Sequence, residues 1–303
     1  MEKVQRKSRL RGCALKEFQN SLSDINKYLS YYVFISSQFL IQNESIIKSE
    51  PNKRTIEEFS SNPLSAQFDV KLNQLNSHTL ETNKFVFDSL FLYCCFELDN
   101  YFKSTYKYLQ SVERFFETKG ESLDSFPVKI TELVTVESLN QIIDNLNISK
   151  DKDFSEEEYL TFEYFRLRRN TIAHRNIEAR YSGSMKEFIE KNGTNLNTYW
   201  NKSNTIIKRL DFTSKNLQFD SMDSIVDIIN ILRNTTPKLE EKIILKISAN
   251  EWVEYLFSTF KKEVSSYDIN VEEKFIKSFN KFTSIKLNCI FDNKIIEKVV
   301  YKR

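Results

Sequence analysis

Two long segments of the chain carry apolar residues at alternating spacings of three and four, which predicts two long amphipathic helices. In the first segment, only Ser36 interrupts the stripe; in the second, Thr105 fills one gap, and Gly120 follows where a helix would stop. The stripes consist of Leu15, Phe18, Leu22, Ile25, Leu29, Tyr32 and Phe39, and of Phe87, Phe91, Cys94, Leu98, Tyr101, Tyr108, Val112 and Phe115. Facing apolar seams of this length indicate an antiparallel bundle.

Further helices are predicted downstream. Ser155 and Glu158 have the spacing of a capping box, so a helix should begin near residue 156 and run to about 177. Pro237 and Asn250 are expected to separate later helices. The predicted ranges are 136–146, 222–233, 239–247, 251–264 and 271–282.

The remaining segments are polar or contain proline and glycine, and they are interpreted as irregular insertions near 45–78, 119–154 and 181–220. At the C-terminus, Ile285, Leu287, Cys289 and Phe291 alternate as in a strand, which indicates a small β-hairpin, whereas residues 295–301 fit a helix equally well. The predicted fold is therefore all-α, with a helical domain over 1–270 and a C-terminal extension over 271–303.

Composition narrows the function classes. The chain has 303 residues, of which 40% are hydrophobic, so it has enough apolar material for a core. Its 4 glycines are far apart, which excludes a Walker loop and a Gly-x-Gly-x-x-Gly turn. Its 4 cysteines and 2 histidines lack paired ligand spacing, so no metal and no cofactor are expected.

The formal net charge of +2 is too small for nucleic acid to be held by bulk electrostatics, so any such binding must be local. A cluster of basic residues between Lys3 and Arg11 fits an arm on phosphates or a solvated tail. The longest uncharged run, residues 28–43, is shorter than the ~20 residues that a membrane-spanning helix needs. A soluble cytoplasmic protein that does not engage membranes is expected.

One helix carries residues suited to chemistry. By helical rotation, Arg169 falls in the middle of the apolar face of the helix that follows Ser155, a face made by Phe162, Phe165, Ile172 and Ala173. A guanidinium cannot shed its charge, so it must meet a carboxylate, a phosphate or a groove that keeps it hydrated. Asn170 and His174 lie one turn apart on the neighbouring edge, where the Asn170 amide is placed to orient the imidazole. Asn170 is expected to orient either this histidine or Arg169.

These residue types fit cleavage of RNA without a metal. Histidine accepts and returns protons near neutral pH, which activates a 2′-hydroxyl or protonates a leaving 5′-oxygen. Arginine holds phosphate oxygens and stabilises the charge that develops in the transition state. Arg169 and His174 are separated by about 7.5 Å along one helix axis, which is poor for gripping one phosphate. Two copies that meet across a two-fold axis would place both pairs around one cleft.

The segment Arg169-Asn170-Thr171-Ile172-Ala173-His174 resembles the Arg-x4-6-His motif of the HEPN superfamily, including the polar residue after the arginine. The resemblance implies a helical-bundle domain, often a homodimer, with a composite ribonuclease site and cleavage that leaves a 2′,3′-cyclic phosphate. It implies catalytic roles for Arg169, Asn170 and His174. Many members are toxins, abortive-infection proteins or antiviral effectors, so an antitoxin or a defence-system partner is among the implied associations.

Several alternatives stay open on the sequence alone. A basic rim for RNA, or a solvated helix end favoured by the helix dipole, would be formed by Arg166, Arg168, Arg175 and Arg180. His174 and Arg169 also fit a helix-capping histidine and an arginine bound to a core carboxylate. The rival functions are a HEPN-like module that binds RNA, a nucleotide or a protein without cutting, and a purely structural helical partner.

Overall fold

The structure, a computed structural model, describes residues 13–121, 123, 148, 154–174, 179–203, 205, 207–264, 272–287 and 289–301. Across these ranges the chain forms nine α-helices and no β-strand, which confirms the all-α prediction. They are α1 (Cys13–Ser49), α2 (Thr55–Glu58), α3 (Leu75–Glu117), α4 (Glu156–Ala173), α5 (Ala179–Lys202), α6 (Met222–Leu245), α7 (Ala249–Glu263), α8 (Glu272–Leu287) and α9 (Asn293–Val300).

The chain divides into two compact units. Unit 1 comprises Met1–Ser21, Phe96–Glu163 and Ile231–Arg303, and unit 2 comprises Leu22–Cys95 and Tyr164–Asn230. The residues of α1, α3, α4 and α6 are shared between the two units. The predicted division at residue 270 stays a prediction.

The two long helices α1 and α3 pair in antiparallel fashion. In unit 2, the hydroxyl of Tyr32 donates to Asn83 Oδ1 at 2.9 Å, and Ile47 packs in one cluster with Leu75. Contact positions that rise along α1 fall along α3 in this unit, so the helices run in opposite directions, as their facing seams predicted. In unit 1, the ring of Phe18 stacks on Tyr101 with centroids 5.5 Å apart.

Gly120 terminates α3 as predicted. Its φ of 74° lies in the left-handed region, which favours glycine because it has no Cβ. The amide of Gly120 donates to Glu117 O at 2.9 Å, and the amide of Glu121 donates to Phe116 O at 3.0 Å. These bonds satisfy carbonyls that the end of the helix leaves without intrahelical partners.

The proline-containing connection between α1 and α3 is ordered by a small apolar cluster of Ile47, Leu72 and Leu75. Arg54 pairs with Asp69 at 2.7 Å, and the backbones of Arg54 and Lys71 form an isolated bridge. The insertion predicted near 45–78 therefore contains the end of α1, the short α2 and a 3₁₀ turn over Leu72–Gln74 before α3 begins.

The irregular insertion predicted near 181–220 is wrong over its first half, because residues 179–202 form α5. The glycine and asparagine residues of this segment suggested a loop. The segment is helical instead, because its buried residues recur at helical spacing and pack as one face. The buried positions are Met185, Ile189, Gly193, Leu196 and Trp200. Helix stability in proteins comes mainly from such a packed face rather than from intrinsic propensity.

Pro237 does not separate two helices as predicted, since it lies inside the continuous helix α6. A proline within a helix costs about 3 kcal/mol because it removes one backbone bond and crowds the preceding turn. The buried residues Leu239 and Ile243 beyond it offset that cost by packing. Before it, the hydroxyls of Thr235 and Thr236 donate to Ile231 O and Leu232 O at 2.9 and 2.7 Å.

The C-terminal β-hairpin is also wrong, and the helical alternative is confirmed. Ile285 and Leu287 belong to α8, and Asp292 caps α9 by accepting from the amide of Lys294 at 2.9 Å. The apolar residues at every second position suggested one buried strand face, but Ile285 is exposed and Leu287 is buried, because both belong to one helix. Between the two helices, residues 289–292 form no strand.

Three expectations fall outside the described residues. They are the short helix over 136–146, most of the irregular insertion near 119–154, and the basic cluster between Lys3 and Arg11.

The two glycines of α5 predict opposite responses to alanine. At Gly193 a Cβ would lie 2.7 Å from the carbonyl oxygen of Phe212, whereas at Gly183 nothing lies within 4 Å. Gly193→Ala should lower the free energy of unfolding by about 1–3 kcal/mol, because backbone must shift to admit the methyl group. Gly183→Ala should raise it by up to about 1 kcal/mol, because alanine favours the helix.

Urea unfolding of both variants beside the wild type measures this difference. Equal stability of the two variants would contradict the close packing of Gly193 on the backbone of Phe212.

Candidate functional site

Helix α4 starts where the sequence predicted. The Ser155 side chain accepts a hydrogen bond from the backbone amide of Glu158 at 3.1 Å, which satisfies one of the amides at the start of the helix. The carboxylate of Glu158 accepts a hydrogen bond from Lys238. The helix ends at Ala173, earlier than predicted, and residues 175–178 lie outside the described part of the chain.

The buried cation of α4 is Arg168, with 3% of its surface exposed. Its guanidinium donates to the hydroxyl of Tyr164 at 2.7 Å, and through two nitrogens to Leu217 O at 3.2 and 3.0 Å. Its central carbon lies 3.6 Å from the centre of the Phe219 ring, a close cation–π contact. Neutral oxygens and an aromatic face thus solvate a charge that burial would otherwise penalise.

This geometry corrects two expectations. Arg169 is half-buried rather than central on the apolar face, and Arg168 belongs to the interior rather than to a basic rim. The predicted apolar face included Ile172 and Ala173, of which the first is half-buried and the second is exposed. The segment around Leu217 covers the neighbouring side of α4, so the true buried face is shifted toward Arg168.

The segment that binds Arg168 is itself held by side chains from three helices. Asp227, 1% exposed, accepts hydrogen bonds from the backbone amides of residues 208–210 at 2.7 to 3.0 Å. Asn197 Oδ1 accepts from the amide of Phe212 at 2.9 Å, and Asp88 Oδ1 accepts from the amide of Phe219 at 3.1 Å. Backbone amides that no regular structure satisfies are paired in this way.

The buried face of α4 also packs on rings of the same unit. Tyr164 meets Phe212 with ring centroids 4.8 Å apart, and Phe165 meets Phe91 at 6.2 Å. Burial raises the pKa of Tyr164, although the neighbouring charge of Arg168 opposes that effect. Tyr164 therefore remains a neutral hydroxyl that can both accept from Arg168 and pack in the core.

The predicted triad lies along the last turns of α4. Arg169 and Asn170 are half-buried, and Arg169 Nη1 donates to Asn170 Oδ1 at 3.3 Å. The amide of Asn170 is thus engaged with the arginine, one of the two orienting roles expected for it.

His174 immediately follows the last residue of α4. Its backbone amide donates to Asn170 O at 2.9 Å, which continues the helical bonding by one residue, and the residue is half-buried. Its position five residues after Arg169 corresponds to a rise of about 7.5 Å along the helix. Five residues also correspond to a rotation of about 140° around the helix axis, so the guanidinium and the imidazole project in different directions, with Asn170 between them in sequence.

The other predicted arginines are only partly described. Arg166 is exposed on α4, which is compatible with a basic rim. Arg175 lies outside the described residues, and Arg180 is placed in α5 without a description of its side chain.

Among the described residues, no group of three or more His, Cys, Asp and Glu side chains is arranged to hold a metal ion. No helix within the described ranges combines the length and apolar character needed to cross a bilayer.

Comparisons of this chain with protein-family models, with curated proteins and with solved structures found no match. The likeness of residues 169–174 to the HEPN motif therefore rests on the motif and on its helical setting.

Two reactive groups lie at the end of α4, the partly exposed guanidinium of Arg169 and the partly exposed imidazole of His174. The first can bind an anionic oxygen and the second can exchange a proton. Sequence reasoning missed Arg168 as the structural residue, although its spacing of four from Tyr164 was a usable signal, because that spacing brings the two side chains together on a helix.

Proposed function

We propose that this protein is a HEPN-type endoribonuclease that cleaves RNA without a metal and acts as a toxin or an antiviral effector. His174 serves as the general acid or base, Arg169 binds the scissile phosphate, and Asn170 orients the arginine. The observation that carries the proposal is the contrast between two adjacent arginines. Arg168 is buried, whereas Arg169 is partly exposed and donates a hydrogen bond to Asn170.

The proposed reaction is internal transesterification. An imidazole removes the proton of a 2′-hydroxyl, the 2′-oxygen attacks the adjacent phosphorus, and the bond to the 5′-oxygen breaks as that oxygen takes up a proton. The products are a 2′,3′-cyclic phosphate and a free 5′-hydroxyl. Arg169 stabilises the additional negative charge on the phosphate oxygens during the attack.

A homodimer is part of the proposal because one helix supplies a single Arg169 and a single His174. Two copies related by a two-fold axis double both groups, so one can hold the phosphate while the other moves the proton.

An exposed apolar face on α1 favours self-association of the chain. Tyr31, Phe34 and Ile35 lie on the side of α1 opposite the buried Leu29, and Tyr28 and Ile41 flank them. Phe39, at the margin of the face, also packs against Phe59. The face consists of Tyr28, Tyr31, Phe34, Ile35, Phe39 and Ile41. Residues 28–43 carry no charged side chain, so this face favours an apolar partner over a charged one.

The area of this face fits a second copy of the chain. Tyr28, Tyr31 and Ile41 are 65%, 68% and 66% exposed. With roughly 200 Å² for each large side chain, the six residues expose about 700 Å². That area is close to the ~800 Å² that each partner contributes to a standard interface.

Substitution of the two histidines tests the enzymatic role. Purified protein incubated with total RNA in EDTA should produce fragments, and His174→Ala should reduce the rate by about 100-fold or more. His78→Ala is the matched control, because His78 lies on α3 against Phe68 and Glu81, and its rate should equal that of the wild type. Gel electrophoresis of labelled RNA measures both rates.

DNA of the same sequence should remain intact, since it lacks the 2′-hydroxyl nucleophile. Undiminished RNA cleavage by a folded His174→Ala protein would show that the activity does not depend on this histidine. RNA binding without cleavage by the wild type would favour a non-catalytic module instead.

Charge on the apolar face of α1 should abolish self-association. Tyr31→Lys places an ammonium at the centre of the face, whereas Ser30→Lys places it about 100° away on the same helix. The wild type and Ser30→Lys should sediment with twice the 36.0 kDa mass of the chain, and Tyr31→Lys should sediment as a monomer. A monomeric wild type at micromolar concentration would contradict the proposed dimer.

A further inference from the structure

Unit 1 contains a cavity of about 310 Å³ that takes no part in the proposed nuclease. Its walls come from α1, α3, α6, α7 and α8, at positions that all belong to unit 1. An apolar cavity of about 150 Å³ already holds one benzene molecule. The volume of this cavity therefore admits one aromatic ring with a short substituent.

Aliphatic side chains from four helices form much of the lining. They are Ala14, Leu109, Ile243, Ile244 and Leu287, and all but Ala14 are buried. Sites for small molecules are lined mainly by such apolar groups, with a few polar groups that fix the orientation of the ligand. A ligand with an apolar body gains dispersion contacts with these side chains.

One wall of the cavity is aromatic and firmly positioned. The rings of Tyr108 and Trp252 stack with centroids 5.9 Å apart and an angle of 17° between their planes. The indole nitrogen of Trp252 donates to Ile244 O at 2.9 Å, and the edge of Tyr255 packs against both rings. A flat ring in the cavity can extend this stack in the offset geometry that aromatic pairs prefer.

Two buried polar residues of the lining, Glu240 and Thr105, both engage the hydroxyl of Tyr101. Burial raises the pKa of Tyr101 well above its ordinary value, and the charge of Glu240 and a hydrogen bond with it add to this effect. A hydrogen bond with Thr105 acts in the opposite direction. The protein therefore supplies a partner of its own to both polar groups.

The cationic residue of the lining, Lys286, is engaged in a similar way, because its ammonium group lies 2.7 Å from Glu263 Oε2. A charged ligand loses hydration on entering such a cavity, and only an opposite charge that is not already engaged would offset that loss. Lys286 and Glu240 both have partners, and the remaining charged residue of the lining, Glu17, is exposed to water. The lining therefore favours an uncharged ligand.

We propose that this cavity binds a small uncharged aromatic molecule, whose ring lies against Tyr108 and Trp252 among the aliphatic side chains. The ligand is recognised by its flat ring and by its lack of charge. Its substituent points toward Ser104 and Glu17, the exposed residues of the lining.

Four probes of nearly equal size test the ligand class on the full chain. Calorimetric titration should detect 2-phenylethanol with a dissociation constant of about 1 mM or tighter. The cationic 2-phenylethylamine and the anionic 3-phenylpropionate should bind at least about tenfold more weakly, and 2-cyclohexylethanol, which lacks the flat ring, at least about threefold more weakly. Absence of phenylethanol binding, or equal or tighter binding of any other probe, would overturn the proposal.

Loss of one ring from the wall tests the stacking contact. Tyr108→Leu keeps the wall apolar but removes its ring, so the affinity for 2-phenylethanol should fall by at least about fivefold. The affinity for 2-cyclohexylethanol should stay within about twofold of its wild-type value. Unchanged phenylethanol affinity in the folded variant, or an equal loss for both probes, would overturn recognition by the aromatic wall.

Filling the cavity locates the site. Ala14→Phe projects a ring into the cavity from the first turn of α1, so it should abolish 2-phenylethanol binding. Lys16→Phe is the matched control, because Lys16 is exposed on the same turn and lies outside the lining, and its affinity should equal that of the wild type. Undiminished binding by a folded Ala14→Phe protein, or equal loss in both variants, would overturn the assignment to this cavity.

Discussion

The candidate site depends on the contacts that the buried guanidinium of Arg168 makes. The guanidinium joins α4 to the segment around Leu217 through two bonds to the Leu217 carbonyl oxygen and through its packing on the ring of Phe219. A third bond, to the Tyr164 hydroxyl, lies within α4. A permanent charge in the interior is tolerated only where such groups replace its hydration. This requirement sets which side of α4 faces inward, and it thereby places Arg169 at the partly exposed edge.

Adjacent residues on a helix point about 100° apart, so two neighbouring arginines cannot share one environment. Arg168 takes the interior side, and Arg169 takes the side where Asn170 contacts it. The proposed chemistry needs a cation that is positioned yet accessible, and this division provides one. Asp227 supports this arrangement without contacting either arginine, because its buried carboxylate accepts hydrogen bonds from backbone amides at the start of the segment that Arg168 binds.

Much of the fold could be predicted from the sequence, because its longest helices bury one regular stripe. The spacing of Leu15, Leu22 and Leu29 was sufficient for α1, and Ser155 and Gly120 marked real helix ends. The errors concern residues whose local preference conflicts with packing. Gly193 is needed because Phe212 approaches it closely, and Pro237 is tolerated because buried residues continue beyond it.

The conflict between local sequence preference and packing also limited prediction of the candidate site. Which of two adjacent arginines is buried depends on a segment about fifty residues later in the chain, and no local pattern reveals that contact.

The most direct test compares Arg168→Lys with Arg169→Lys, measuring both the free energy of unfolding and the rate of RNA cleavage. Lysine keeps the charge but loses the planar fork of donors. Arg168→Lys should lose about 2 kcal/mol of stability, because bonds to buried oxygens are broken. Arg169→Lys should stay within about 0.5 kcal/mol of the wild type while its cleavage rate falls by about 100-fold. A stable Arg168→Lys protein, or full cleavage by Arg169→Lys, would contradict the division of roles between the two arginines.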